Sequence, residues 1–161
     1  MTTNIQSKAD ELVGAKESSL LLGNNLCFSL YVTSREFINR YTPLLAEIGL
    51  TYTQYVVMMV LWEEQEVITR DLRDRVFLDS GTLTPVLKKL EDKGFITKAR
   101  SKTDARDLVV TITEEGQALK TAALAIQAEI AKGFKGMGEV DGLMQSLQEM
   151  MDFFQQERKR K

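Results

Sequence analysis

The side chain best suited to covalent chemistry in this sequence is Cys27, the single cysteine of 161 residues that include no histidine. The thiolate is the reactive form. A free thiol titrates near ~8.5, so chemistry at neutral pH needs groups that stabilise the anion. The lack of histidine excludes Ser–His and Cys–His catalysis within one chain and disfavours a transition-metal site. A lone cysteine cannot form an intrachain disulfide. Cys27 is therefore inert and buried, reactive, or joined to another molecule. Tyr31 lies one turn further along the same helical face, and Tyr41 and Tyr52 follow 14 and 25 residues after Cys27. If that helix is continuous, Tyr41 sits about 20 Å along the axis from Cys27 at ~1.5 Å per residue, too far to touch. The two can meet if a second copy packs with its helices reversed. The plain alternative is a small buried hydrophobe.

A second set of residues has the chemistry to meet a polyanion. Between Val67 and Gly94 the sequence reads as two short helices joined by a polar turn. In the second, Leu83, Val86, Leu87 and Leu90 make one apolar stripe at i, i+3, i+4 and i+7. Thr82, Thr84, Lys88 and Lys89 fall on the opposite face. Asp79 and Ser80 can cap its start, Gly94 can end it, and Pro85 near the first turn need not break it. Small polar groups followed by lysines suit a helix entering the DNA major groove. Phe95 to Arg100 and Leu108 to Ile112 are β-rich, with Leu108, Val110 and Ile112 alternating against Val109 and Thr111. Between them lies the polar tip SKTDARD. Two helices and a hairpin with a charged tip describe a winged helix-turn-helix. Residues Arg70 to Arg106 hold ten Lys/Arg against six Asp/Glu, a balance of +4 in a chain of net −2. A basic module inside an acidic chain is the electrostatic footprint of nucleic-acid contact.

Helices must position both sets. Cys27, Leu30, Tyr31, Ser34, Phe37, Ile38 and Tyr41 predict a helix with one buried stripe. Thr42-Pro43 predicts that a new short helix begins there, with Leu44, Leu45 and Ile48 inward and Gly49 ending it. Thr51 to Gln54 reads as a capping box for a third helix, with Tyr55, Met58, Met59 and Trp62 inward and the acids Glu63 to Glu66 ending it in solvent. After the hairpin, Thr113, Glu114 and Glu115 open a helix that turns Leu119, Ala122, Ala123, Ile126 and Ile130 inward. Gly133 to Gly138 interrupts it. A last helix, about Glu139 to Gln156, carries Leu143, Leu147, Met150, Met151 and Phe154. So small a module cannot bury all these stripes, which fits a dimer interface. The N-terminal residues read as a frayed arm with a short helix near Ala9 to Val13.

The run LDSGTLTPVLKKLEDKGFITK, the Asp104-x-Arg106 pair in the wing and the following TEEG resemble the MarR family of dimeric bacterial repressors. The resemblance implies a mainly α fold with a small β-hairpin wing. It implies an arm at 1–19, one domain at 20–157 and a basic tail at 158–161. The winged helix-turn-helix falls at 50–113, and dimerisation helices at 20–49 and 114–157. Ser80, Thr82, Thr84, Pro85, Lys88 and Lys89 would meet double-stranded DNA at a pseudo-palindromic operator, with Arg100 and Lys102 from the wing. Arg106 would enter a minor groove with Asp104 holding its guanidinium, or the two merely pair on a solvated loop. Asp107 departs from a purely basic wing and is expected to weaken a nearby backbone contact.

The stretch LCFSLYVTSREFINRYTPLLAEIGLTYTQY looks like the organic-hydroperoxide-sensing branch of that family. There a reactive cysteine is hydrogen-bonded by two tyrosines of the partner subunit, roles that fall on Cys27, Tyr41 and Tyr52, with Tyr31 beside the thiol. Attack on a peroxide gives a sulfenic acid. With no second cysteine, Cys27 would end as a mixed disulfide with a low-molecular-weight thiol, or over-oxidised. Phe28, Met58 and Met59 would favour an organic oxidant. The expected function is a homodimeric repressor without cofactors that releases DNA on oxidation. The runner-up is a regulator sensing a small apolar or phenolic ligand, with Cys27 as core. A thiol peroxidase is disfavoured, since only Arg35 stands near to activate the thiol. A winged helix used only for protein contact would lack a steep salt dependence of DNA binding. No run approaches the about 18 apolar residues of a membrane span and no signal-peptide pattern opens the chain, so a cytoplasmic protein is expected.

Overall fold

The computed structural model of the chain describes residues 21–101, 107–133 and 140–160. After a single 3-10 turn, Leu22–Asn24, come α1 (Leu26–Glu47), α2 (Tyr52–Glu64), β1 (Glu66–Ile68), α3 (Thr69–Arg75) and α4 (Ser80–Asp92). Then follow β2 (Ile96–Arg100), β3 (Leu108–Ile112), α5 (Glu114–Lys132) and α6 (Val140–Lys159). The chain forms two compact units, 1–40 and 41–161. The expected N-terminal arm with its short helix, the wing tip and most of the Gly133 to Gly138 break lie outside the described residues.

In the first unit, the expected buried stripe is only partly covered, with Leu30 and Phe37 half-buried. Cys27, Leu26, Phe28, Tyr31 and Ile38 are all exposed. The helix also does not restart at Thr42-Pro43, because α1 runs unbroken through Pro43. A proline inside a helix costs about 3 kcal/mol, since its ring meets the carbonyl four residues back and its N–H is missing. Leu45 beyond it is fully buried, and Leu44 and Ile48 pack on the core. Burying such side chains stabilises by about 1.5–3 kcal/mol each, so continuing the helix wins. Gly49 does end it, at φ 72°. Its N–H donates to Ala46 and the Leu50 N–H to Leu45, with Leu45 and Leu50 both buried. That is the Schellman closure with its hydrophobic contact.

In the second unit α2 is the central helix. Thr51 and Gln54 form the expected capping box, through bonds of 3.4 and 3.0 Å. The expected single stripe is too narrow. Tyr55, Val57, Met58, Val60, Leu61 and Trp62 are all buried, while Met59 is exposed. A helix covered on most sides carries apolar residues around its circumference, which blurs any periodicity.

Helix α4 buries Leu83, Leu87 and Leu90 as its pattern predicts. Pro85 lies further in than expected, as the sixth helical residue. The donor it lacks is the one that would meet the Gly81 carbonyl. Gly94 at φ 75° closes α4 with the same two-bond pattern as Gly49, through Glu91 and Leu90. The hairpin pairs Ile96 with Ile112 and Arg100 with Leu108. Strand β1 was not expected. It pairs antiparallel with β3, Glu66 opposite Thr111, and gives the sheet order β1-β3-β2. Three residues are too few to show an alternation.

Thr113 caps α5 by accepting from the Gly116 N–H and donates to the Gly94 carbonyl at 2.6 Å. The Trp62 indole donates to the Gly116 carbonyl at 2.9 Å. A Cβ at 116 would run into the Phe95 carbonyl oxygen, so only glycine lets α5 approach this closely. On α6, Leu143, Met144, Met151, Phe153 and Phe154 are exposed, an apolar face left open in a single chain.

Candidate functional site

The polar face of α4 is built from its cap outward. Asp79 Oδ1 accepts from the Thr82 N–H at 2.9 Å, and Oδ2 accepts from the Thr82 hydroxyl at 2.8 Å. These bonds, the hydroxyl first, hold the Asp79 carboxyl below its usual range. The Thr84 hydroxyl donates to the Ser80 carbonyl at 2.8 Å. Both threonine protons are thus committed to the protein, which leaves their oxygens as acceptors on the open face. Ser80, Thr82, Thr84, Pro85, Lys88 and Lys89 are all exposed.

The basic character of the module is narrower than its residue count. Arg75 bridges Glu63 and Glu64 at 2.6 and 2.7 Å, Lys98 pairs with Glu91 at 2.9 Å, and Arg73 with Asp74 at 3.1 Å. The acids at the end of α2 are therefore partly neutralised rather than simply solvated. Among the described residues, Lys88 and Lys89 have no acidic partner. Arg100 is exposed at the end of β2, while Lys102, Asp104 and Arg106 lie outside the described residues.

Asp107 has a role the sequence hid. One Arg70 nitrogen donates to both of its oxygens, at 3.0 and 3.3 Å, and the Thr69 hydroxyl donates to the Leu108 carbonyl at 2.9 Å. The wing base is thereby tied to α3. Between them a groove of about 240 Å³ is lined by Thr69, Arg70, Arg73, Ser80, Thr84 and Asp107, among others.

On the thiol side, Cys27 is the second residue of α1 and is exposed. Asn25 caps this turn by accepting from the Phe28 N–H at 2.9 Å. Tyr31, one turn on, carries the Arg35 guanidinium 5.7 Å over its ring. The contact with Tyr31, then that with Glu36, holds the Arg35 pKa up. Arg35 is thus occupied by other partners.

The second unit brings Tyr41 and Tyr52 together, ring centroids 5.5 Å apart and edge to face. Tyr55 completes the cluster, stacked on Tyr41 at 5.7 Å and leading to Trp62 at 6.1 Å. Tyr55, expected only on the inward stripe of α2, joins the cluster, and its i, i+3 spacing from Tyr52 is the sequence signal for it. Burial raises the phenol pKa values of Tyr41, Tyr52 and Tyr55, and neighbouring phenols add to the shifts of Tyr41 and Tyr55. All three are hydrogen-bond donors at neutral pH. Met58 is fully buried, which removes it from any oxidant-facing surface. Beside the cluster, Tyr55, Met59, Trp62, Lys120, Ala123 and Leu124 line most of an open groove of about 280 Å³ between α2 and α5.

Among the described residues, no cluster of three or more His, Cys, Asp or Glu side chains could hold a metal ion. Nor is any single helix among them long and apolar enough to cross a membrane.

Known proteins share this architecture. The profile of the SarA/Rot transcriptional regulators matches residues 39–123. The chain is 45% identical over 131 residues to the HTH-type transcriptional regulator SarZ of Staphylococcus haemolyticus, covering 81% of this chain and 89% of that one. It is 41% identical over 124 residues to the organic hydroperoxide resistance transcriptional regulator of Bacillus subtilis, covering 77% and 84%. The solved structure of reduced AbfR bound to DNA, a Staphylococcus epidermidis protein, superposes with a TM-score of 0.74 at 34% identity. That match covers 86% of this chain and 97% of that one.

Proposed function

This chain belongs to the SarA/Rot family of transcriptional regulators, within the MarR-like winged helix-turn-helix group, and from that premise we propose a homodimeric repressor that senses organic hydroperoxides through Cys27. The observation that carries the reading is the Tyr41–Tyr52 pair, two phenols with ring centroids 5.5 Å apart that keep their protons at neutral pH and so suit a thiolate as hydrogen-bond donors. The chain's relationship to a hydroperoxide-resistance regulator supports the choice of oxidant.

In the reduced dimer, α4 enters the major groove with Ser80, Thr82, Thr84 and Pro85 against base edges and sugars. Lys88 and Lys89 meet phosphate, Arg100 and Lys102 follow the backbone, and Arg106, held by Asp104, enters the minor groove. Cys27 stands in the first turn of α1, open to an oxidant in the single chain. Tyr41 and Tyr52 of the partner subunit donate to its thiolate, a charge-assisted pairing that their retained protons permit. The thiolate attacks the O–O bond. An S–O bond forms, the O–O bond breaks, and the leaving alkoxide takes a proton to depart as an alcohol. The resulting sulfenic acid no longer holds the anionic hydrogen bonds. The sulfenic acid then condenses with a low-molecular-weight thiol, releasing water and leaving a mixed disulfide, since the chain has no second cysteine. Two recognition helices must reach half-sites about 34 Å apart, so a few ångströms of displacement releases the operator.

The groove beside Tyr55 favours one second reading, a regulator that takes a small apolar ligand between α2 and α5. The test is DNA binding by wild type and Cys27→Ser before and after a stoichiometric organic hydroperoxide. The redox reading expects release of wild type and retention of the variant. Retention of both would sink it and leave the ligand reading.

A further inference from the structure

The lysine that follows α4 does not end in open water. Lys93, the C-cap of the helix, donates its ammonium to the Gly49 carbonyl at 2.6 Å and to Gln54 Oε1 at 3.0 Å. Gly49 is the left-handed residue that closes α1, and Gln54 is the capping-box residue of α2, only 2% exposed. One cation therefore joins the α1–α2 corner to the end of the recognition helix, all within the second unit.

Each contact has a physical reason. The Gly49 carbonyl belongs to the negative end of α1, where a cation is favoured. Gln54 Oε1 has two lone pairs. One accepts from the Thr51 N–H at 3.0 Å and the other from Lys93. Without the ammonium, a buried amide oxygen loses one of its two partners and the corner loses its tie to α4.

We propose that Lys93 is a positioning residue for DNA recognition, fixing α4 against the α1–α2 corner rather than contacting phosphate. The inference rests on DNA binding by this family and stands whether or not Cys27 senses peroxide. The two roles separate by salt. A lysine that meets phosphate releases counterions and contributes about 0.9 to the slope of log affinity against log salt. A lysine that only positions the helix changes affinity at every salt concentration and leaves the slope alone.

The experiment uses a duplex selected by the wild-type protein from a random pool. Affinity is measured across salt for wild type, Lys93→Met, Gln54→Glu and the double variant, with thermal unfolding as a check that each is folded. Lys93→Met is expected to lose about tenfold at each salt, the scale of one charge-assisted hydrogen bond. Its loss is expected to be larger in the Gln54→Glu background, where removal of the ammonium strands a buried carboxylate. A slope shallower by about 0.9 per lysine would mark a phosphate contact and overturn the proposal. So would unchanged affinity, or equal losses in the two backgrounds.

Discussion

Arg70 on α3 and Asp107 at the foot of the wing face each other at 3.0 and 3.3 Å, one guanidinium nitrogen against both carboxylate oxygens. The acid expected to weaken a nearby backbone contact also ties the foot of the wing to α3. Arg70 is more than half exposed while Asp107 is largely covered, so solvent screens much of the attraction. Asp107→Ala is expected to cost at most about 1 kcal/mol, lowering Tm by roughly 2–4 °C for a chain of this size. Asp107→Arg costs more, because two guanidinium groups then meet, and adding Arg70→Asp recovers part of the loss. Thermal unfolding of the three variants checks the pairing. No recovery in the double variant would count against it.

Two glycines are expected to differ in their tolerance of alanine. Gly94 has open space at its Cβ and only its φ of 75° to maintain, so Gly94→Ala costs about 1–2 kcal/mol. At Gly116 the new methyl meets the Phe95 carbonyl, which cannot swing aside as a side chain would. Gly116→Ala is expected to cost about 3 kcal/mol, with a Tm loss of about 10 °C. Equal unfolding midpoints for the two variants would refute the close approach at α5.

The α4 cap carries a pH signature. The Asp79 carboxyl titrates below its unfolded value because the Thr82 hydroxyl and N–H favour the charged form. A group depressed in this way stabilises above its unfolded pKa of ~3.9, and the contribution is lost as pH falls through the lower folded value. Amide exchange at Thr82 is expected to speed up as pH falls through the folded pKa in wild type, beyond the intrinsic pH trend, and Asp79→Asn should not show that step. A carboxyl titrating at its ordinary value would remove the cap from the account.

The tyrosine cluster signs the opposite end of the scale. Tyr41, Tyr52 and Tyr55 all titrate above the usual ~10, chiefly because burial disfavours the phenolate. Their contribution to stability is full below the unfolded pKa and is lost as pH rises through the folded values. Phenolate absorbance should therefore lag that of the unfolded chain on alkaline titration, and Tyr52→Phe should shrink the lag. Coincident folded and unfolded curves would show that the phenols are not desolvated.

If α4 faces DNA, its two lysines without an acidic partner among the described residues, Lys88 and Lys89, are the first to test. Lys88→Ala or Lys89→Ala is expected to reduce the salt slope by about 0.9 per copy, or about 1.8 for a dimer. Lys132→Ala, whose partner is Glu129 on α5, should leave it unchanged. A slope insensitive to Lys88 and Lys89 would move the phosphate contacts elsewhere.

Much of this could be read from residue order because the signals were local. Caps at Thr51, Asp79 and Thr113, stops at Gly49 and Gly94, and the stripe Leu83-Leu87-Leu90 each lie within one or two turns of chain. What escaped was non-local or decided by burial. Pro43 broke nothing because Leu45 beyond it has a core to enter, which its neighbours in sequence do not reveal. Strand β1 exists only through a partner 45 residues away, as the Thr111 bond to Glu66 illustrates. Arg70 and Asp107, 37 residues apart, and Lys93 and Gly49, 44 apart, are joined by the same long reach. The thiol stood out by residue type and the roles of Tyr41 and Tyr52 came with the family resemblance, while the aromatic contacts that bring Tyr55 into the cluster needed the fold.

The pairing of β1 with β3 also constrains the order in which the chain folds. It closes a loop that contains α3, α4 and the whole of β2. Closing so long a loop costs entropy that local helix formation cannot repay, so the clasp belongs to the late, cooperative part of folding. Once shut, it leaves the helix-turn-helix no free end from which to fray. Opening of its helices is then expected to accompany opening of the sheet, and slow exchange at Val110 should report on both.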